Sequence, residues 1–188
     1  MKRAIIVHCW EGYPEYCWYP WVKKELEKAG FKVIVPAFHD TEKPRQEAWV
    51  PYLTNVIGEP DEDLYLVGHS VGCVTIMRYL EALTGARKIG GVVFVAGFTT
   101  DLGYEELKNF FTAPIDFDKI RQRCPKFVAI HSDNDKYVDL KYADIFKEQL
   151  GAEVIVKRDA GHFSGSIENE GSCIELPEVV TSVKKLSN

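Results

Sequence analysis

Five residues near the middle of this 188-residue chain have the types and spacing for nucleophilic chemistry: Gly68-His69-Ser70-Val71-Gly72. They follow an apolar run, Leu64–Val67, and precede a longer apolar stretch, Val71–Leu83. Strand, sharp turn and helix is the context in which a G-x-S-x-G pentapeptide presents its serine. Such a turn is tight and strained, and a Cβ at either glycine would crowd the neighbouring strand or helix. The turn lifts the Ser70 hydroxyl above a sheet. It also sets Ser70 at a helix N-terminus, where unpaired N–H groups and the dipole favour developing negative charge. The N–H of Val71 is then one expected donor to an oxyanion. The plainer reading is a serine capping an ordinary helix; the flanking strand and helix favour the elbow. His69 is read as a packing or loop residue, because neighbours on such a turn point in different directions.

A serine hydroxyl needs a base to take its proton. The chain has five histidines: His8, His39, His69, His131 and His162. In this kind of site the order along the chain is serine, acid, histidine, with the histidine after the last strand. His162 alone follows the last apolar run, in Asp159-Ala160-Gly161-His162-Phe163, where Gly161 permits a turn. The acid is expected after the run Phe127–Ile130, where Asp133, Asp135 and Asp139 compete. An aspartate there would accept the Nδ1–H of His162 and stabilise the imidazolium. Asp139 suits a helix cap and Asp133 a turn, which leaves a preference for Asp135. The second oxyanion donor is expected from His8-Cys9-Trp10-Glu11-Gly12, with the N–H of Trp10 first and that of Cys9 second. His8 reads as a strand-end residue bonded to backbone.

The elements that must position these residues alternate along the chain. Ala4–Val7, Val33–Val35, Leu64–Val67, Val92–Ala96, Phe127–Ile130 and Val154–Val156 read as buried strands without polar alternation. Helical spacing runs between Pro20 and Gly30, where Val22, Leu26 and Ala29 share a face. It recurs over Glu47–Ile57, where Pro51 predicts a late start or a kink. Val71–Leu83, Tyr142–Leu150 and Leu176–Leu186 complete the set. This alternation predicts an α/β fold with a doubly wound, mainly parallel six-stranded sheet, helices on both faces, and one domain over residues 1–188. Ligands of such sheets bind at the carboxyl ends of the strands, where strand order reverses.

Bulk properties narrow the class. The net charge of −5 and the lack of Lys/Arg runs longer than two argue against nucleic acid as a partner. Five cysteines, without a C-x-x-C pair, favour neither a disulfide framework nor a structural zinc site. No stretch approaches the ~20 apolar residues of a membrane span. The apolar run before His8 is too short for a signal-peptide core, so the expected location is the cytoplasm.

The motifs together resemble a family: small serine hydrolases of the retinoblastoma-binding-protein and YdeN type. The resemblance is carried by HCWEGYPEYCWYPWVKKELEKAGF near the start, GHSVG at 68–72, AGFTTDLG at 96–103, HSDNDKYV at 131–138 and AGHF at 160–163. It implies a minimal α/β-hydrolase core without a large cap domain, and a triad falling on Ser70, Asp135 and His162. Two positions depart from the family pattern. Cys9 stands where glycine commonly follows the histidine, and Lys136 where proline commonly follows the acid.

The function expected is hydrolysis of a small-molecule ester, with thioesters and amides as further candidates, through an acyl-enzyme and with no metal or organic cofactor. Trp10, Tyr13, Trp18 and Phe163 are the expected substrate-binding residues. Phe98, Tyr104, Phe110 and Phe111 lie in a long connection, 98–118, read as a short lid. The alternative is a protein-interaction module on a hydrolase scaffold, whose protein partner no motif identifies.

Overall fold

The computed structural model describes residues 1–164 and 173–188. Its sheet is built from β1 (Arg3–Val7), β2 (Lys32–Ile34), β3 (Leu64–His69), β4 (Gly91–Val95), β5 (Phe127–Ser132) and β6 (Glu153–Lys157). All pair in parallel, in the order β2-β1-β3-β4-β5-β6. Strand order therefore reverses between β1 and β3, and the loops leaving these two strands are the ones that carry Trp10 and Ser70. The four central strands have both faces covered, which is why they read as unbroken apolar runs. The edge strands β2 and β6 are only partly covered. An edge strand has a neighbour on one side only, so part of each edge meets water.

Helices cover the two faces unequally. Helix α1 (Tyr19–Lys28) and α6 (Pro177–Leu186) pack with Ala4, Ile6, Val67, Val93 and Ile130 on one face. On the other, α2 (Gln46–Ile57), α3 (Val71–Ala82), α4 (Phe117–Arg123) and α5 (Lys141–Leu150) pack with Ile5, Val7, Leu66, Phe94 and Ala129. Successive strand residues thus feed opposite cores, as the period of two requires. Helix α3 lies deepest, with every residue from Val71 to Leu80 buried.

Three details differ from the sequence expectations. Helix α2 starts at Gln46 and runs through Pro51 rather than beginning after it. Its buried stripe is Trp49, Leu53 and Ile57, while Pro51 and Glu47 are exposed. The carbonyl that Pro51 leaves without a donor therefore belongs to an exposed residue. In α1 the buried stripe is Tyr19, Val22 and Leu26; Ala29 lies past the last turn and is exposed. The connection 98–118 holds a 3-10 helix, Glu105–Phe111, and the start of α4. Among the described residues no helix is long and apolar enough to cross a membrane.

Candidate active site

The turn between β3 and α3 accounts for both glycines of the pentapeptide by distance. A Cβ on Gly68 would stand 2.7 Å from the backbone of Cys73, and one on Gly72 would stand 2.2 Å from the carbonyl oxygen of Val7. The β3–α3 turn and the end of β1 therefore touch backbone to backbone. Ser70 sits between them at φ 55°, ψ −121°, a conformation that L-residues rarely adopt. Its N–H is bonded to Val95 O at 2.9 Å, and its carbonyl takes Cys73 N at 2.9 Å. The side chain makes no capping bond to α3, so its oxygen is not engaged as an N-cap.

Ser70 Oγ lies 2.9 Å from His162 Nε2. His162 Nδ1 lies 2.8 Å from Asp135 Oδ2. The histidine arrives on a loop in which Gly161 and Phe163 take φ of 53° and 58°. Its side chain is 9 % exposed and that of Asp135 only 2 %. The other oxygen of Asp135 accepts the N–H groups of Tyr137 at 2.9 Å and Val138 at 3.0 Å. Burial alone would raise the Asp135 pKa. The hydrogen bond and charge of His162, with those two N–H groups, outweigh it and hold the carboxyl below its ordinary value. The competing carboxylates have other partners. Asp133 Oδ1 accepts Asp159 N at 2.9 Å, and Asp139 Oδ1 accepts Lys141 N at 2.8 Å at the start of α5.

The loop after β1 is fixed peptide by peptide. Cys9 O accepts Gly12 N at 3.0 Å and lies 2.9 Å from His8 Nδ1. His8 Nε2 accepts Phe38 N at 3.1 Å, so the ring proton is on Nδ1 and donates to Cys9 O. Burial holds His8 below its ordinary pKa and therefore neutral. In a trans peptide, C=O and N–H point opposite ways. Anchoring Cys9 O thus turns the Trp10 N–H away from His8 and Gly12. Among the described residues neither Trp10 N–H nor Val71 N–H meets an acceptor. The N–H of Cys9, the second candidate, is bonded to Tyr19 Oη at 3.1 Å. Gly12 cannot carry a side chain, since a Cβ would meet Cys9 O at 2.8 Å.

A pocket of about 190 Å³ opens over Ser70 and His162. Cys9, Trp10, Glu11 and Tyr16 wall it from the β1 loop, and Phe98, Leu102, Tyr104 and Leu107 from the 98–111 segment; Val71, Tyr137 and Ser164 complete it. Of the four residues expected to bind substrate, the structure brings Trp10 into this wall, where its ring meets that of Tyr104 at 5.8 Å. Tyr13 is 47 % exposed and leans on Tyr16 instead. Trp18 and Phe163 are fully buried among core side chains. Sequence pattern alone does not single out Tyr16, Leu102, Leu107 and Tyr137. Leucine in a connection carries no signal of its direction, and both tyrosines lie inside stretches whose signal comes from their neighbours.

The 98–111 wall is held rather than loose. Arg78 on α3 donates to Phe110 O at 2.8 Å, Ala113 O at 2.5 Å and Pro114 O at 3.3 Å, and pairs with Glu81 at 2.8 Å. Asn109 accepts Gln46 N at 2.7 Å and donates to Pro44 O at 3.0 Å. Among the described residues no group of three or more His, Cys, Asp or Glu side chains is arranged to hold a metal.

Comparison with known proteins shows the family and the fold. The serine hydrolase family model matches residues 4–178. YdeN of Bacillus subtilis is 30% identical over 171 residues, which is 90% of this chain and 88% of YdeN. Its crystal structure superposes with a TM-score of 0.91 over 99% of this chain and 98% of that one. The serine hydrolase RBBP9 of Rattus norvegicus is 28% identical over 90% of this chain and 86% of its own length. Est1E from Butyrivibrio proteoclasticus shares the fold, with a TM-score of 0.73 at 14% identity, over 98% of this chain and 86% of Est1E.

Proposed function

The chain belongs to the serine hydrolase family, and on that premise we propose that it cleaves a small carboxylic ester through an acyl-enzyme, with Ser70 as nucleophile, His162 as base and Asp135 as the acid that orients it. One observation carries the reading. At the floor of a small, largely apolar pocket, a serine oxygen faces one nitrogen of an imidazole whose other nitrogen faces a buried carboxylate. Asp135 holds the Nδ1–H tautomer, which leaves the Nε2 lone pair aimed at the Ser70 hydroxyl. As Ser70 Oγ bonds to the ester carbonyl, its proton passes to Nε2. The carbonyl π electrons move onto oxygen, where the N–H groups of Val71 and Trp10 receive them. Collapse expels the alcohol, which takes the proton from His162. Water, deprotonated by the same imidazole, then releases the acid and restores Ser70.

The size of the pocket favours short acyl groups. Its volume of about 190 Å³ is below the ~300 Å³ at which sites for drug-sized ligands begin. A panel of p-nitrophenyl esters of graded acyl length, with Ser70→Ala as blank, tests the reading. Turnover confined to short acyl chains and absent from Ser70→Ala is the expected result. A wild-type protein that hydrolyses no ester and leaves Ser70 unlabelled by a fluorophosphonate would overturn it, and would turn attention to binding of another protein.

A further inference from the structure

Two buried side chains that do not line the pocket join the loops that meet there. Tyr19, the first residue of α1, has no exposed surface. Its Oη accepts the N–H of Cys9 at 3.1 Å and lies 2.7 Å from His69 Nδ1. His69 is equally buried, and its Nε2 lies 2.8 Å from the carbonyl oxygen of His162. A line of hydrogen bonds thus runs from the loop after β1, through the residue next to Ser70, to the backbone of the base.

The chemistry of the groups fixes the direction of the line. A carbonyl oxygen only accepts, so the His69 ring proton sits on Nε2, facing His162 C=O. Nδ1 of the neutral ring is therefore bare and takes the Tyr19 hydroxyl proton, while Tyr19 Oη accepts the N–H of Cys9. Burial keeps the ring neutral, with its pKa pushed down to about 3, so it has one proton to place. Within the line, each of the two rings accepts one hydrogen bond and donates one. Neither Tyr19 Oη nor a ring nitrogen of His69 is left as a buried polar atom without a partner.

The line supplies what the sheet does not. His162 follows β6, and three strands separate β6 from β1. At strand spacing that is roughly 19 Å. The approach of Trp10 and His162 to one serine is therefore set by loops, and the loop carrying His162 has left-handed residues on both sides of it. Packing immobilises the rings of the line. Trp18 meets Tyr19 edge-on at 4.6 Å and lies 5.6 Å from His69.

Building on the reading of Ser70 as nucleophile and His162 as base, we propose that Tyr19 and His69 are positioning residues. Their hydrogen-bond line sets the backbone of His162 and that of Cys9 in register, so that base and oxyanion donor address Ser70 Oγ together. Loosening it should lower the rate of the chemical step while leaving the pocket, and hence ground-state binding, alone.

The test uses the full-length protein and p-nitrophenyl acetate, with Ser70→Ala, Tyr19→Phe, His69→Met and His69→Gln. Tyr19→Phe removes one oxygen from a ring that otherwise stays packed. Its kcat should fall by about ten- to a hundredfold with KM held within about twofold. His69→Gln keeps an N–H near the His162 carbonyl and should recover part of the kcat lost in His69→Met. An unchanged kcat in Tyr19→Phe, or a loss seen only in KM, would overturn the proposal. So would His69→Gln no better than His69→Met. A Ser70→Ala protein as active as wild type would instead sink the reading of the site itself. Nitrogen-15 spectra of the histidines in the wild-type protein decide the matter even where a variant does not fold. His69 should be neutral with its proton on Nε2 from pH 6 to 8, and a proton on Nδ1 would reverse the line and end the proposal.

Discussion

Asp135 divides its carboxylate between two tasks: Oδ2 faces His162 Nδ1 at 2.8 Å, while Oδ1 accepts the N–H groups of Tyr137 and Val138 at 2.9 and 3.0 Å. The two backbone bonds orient the carboxylate, and the carboxylate orients the imidazole. They also favour the ionised acid despite its burial. The arrangement needs no proline after the acid, because both backbone donors lie beyond Lys136. That accounts for how Lys136 can stand there without moving Asp135.

Asp135→Asn should keep this geometry and lose the chemistry. The amide oxygen would stay on Tyr137 and Val138, and the amide NH2 would face His162 Nδ1. A donor there forces the ring proton onto Nε2, where it points at Ser70 Oγ and cannot accept its proton. Ester hydrolysis should fall by about 10³–10⁴, with the melting temperature changed by only a few degrees. Steady-state kinetics beside thermal melts check this. A variant with a tenth of wild-type kcat would show that the orientation of His162 is set elsewhere.

Stability should fall with acid before the carboxylates titrate. Unfolded, each imidazole has a pKa of about 6.5. In the fold, burial pushes His69 down to about 3 and His131 down to about 4, and lowers His8 as well. The unfolded chain therefore takes up protons first. The stability these neutral rings contribute is complete above about pH 6.5 and is lost as pH falls toward 3–4. Each ring steepens the loss by about 1.4 kcal/mol per pH unit within its window. Urea unfolding at pH 7.5, 6 and 5 should show a declining free energy, with a shallower decline in His131→Leu. Equal stability at pH 7.5 and 5 would contradict these pKa directions.

Gly72→Ala should cost more than an ordinary glycine replacement in a helix. The added methyl would press on Val7 O at 2.2 Å and His8 O at 2.8 Å. Both are backbone atoms of β1 and its exit, so no side chain can swing away. We expect a loss of about 2–4 kcal/mol or failure to accumulate as folded protein. Gly103→Ala is the comparison, since its Cβ meets nothing within 4 Å although its φ is +84°. Denaturant midpoints of the two variants should differ clearly, with Gly72→Ala the weaker.

Ser70 and His162 could be singled out in the sequence because each stands after a strand core, in an order that spacing along the chain preserves; for the acid the same position leaves Asp133, Asp135 and Asp139 in competition, and only turn and cap preferences with the family resemblance favour Asp135. The strand cores were readable for the same reason: in the central strands both faces are covered, and their residues are apolar without a break. Helix α4 was not readable. Its residues FDKIRQR bury Ile120 as their core contact, so no periodic face appears, and its start is a cap by Asp116 on Lys119 N. The pocket wall was readable only in part. Trp10 and Trp18 stand in the same aromatic stretch, yet one faces the pocket and the other packs behind Tyr19 and His69. Which way a loop residue points depends on the peptide planes around it. Here those planes are set by His8, Gly12 and Tyr19, through contacts that span up to 30 residues of chain.

Arg78 offers the last test, of how the pocket wall is held. Its guanidinium is 7 % exposed, beside a Glu81 carboxylate that is 14 % exposed. Its donors fall on Phe110, Ala113 and Pro114, and Glu81 Oε1 accepts Asp116 N at 2.5 Å. The pair thus fastens the end of the 98–116 segment to the helix that begins beside Ser70. Arg78→Met removes the cation, leaving the half-buried Glu81 carboxylate with Asp116 N as its remaining donor and three carbonyls without the guanidinium. Stability should drop by about 3–5 kcal/mol, most of it from the charge left behind. Arg78→Met with Glu81→Leu should therefore be more stable than Arg78→Met alone, although it has lost one more native group. The pocket should answer differently from the fold. Both variants release the wall that carries Leu102, Tyr104 and Leu107, so both should raise KM and blunt the preference among acyl lengths. Denaturant unfolding and the ester panel on one set of preparations separate the two effects. If the double variant regains stability and also regains wild-type acyl preference, the wall is held by Asn109 and its contacts with residues 44–46, and Arg78 serves the fold alone.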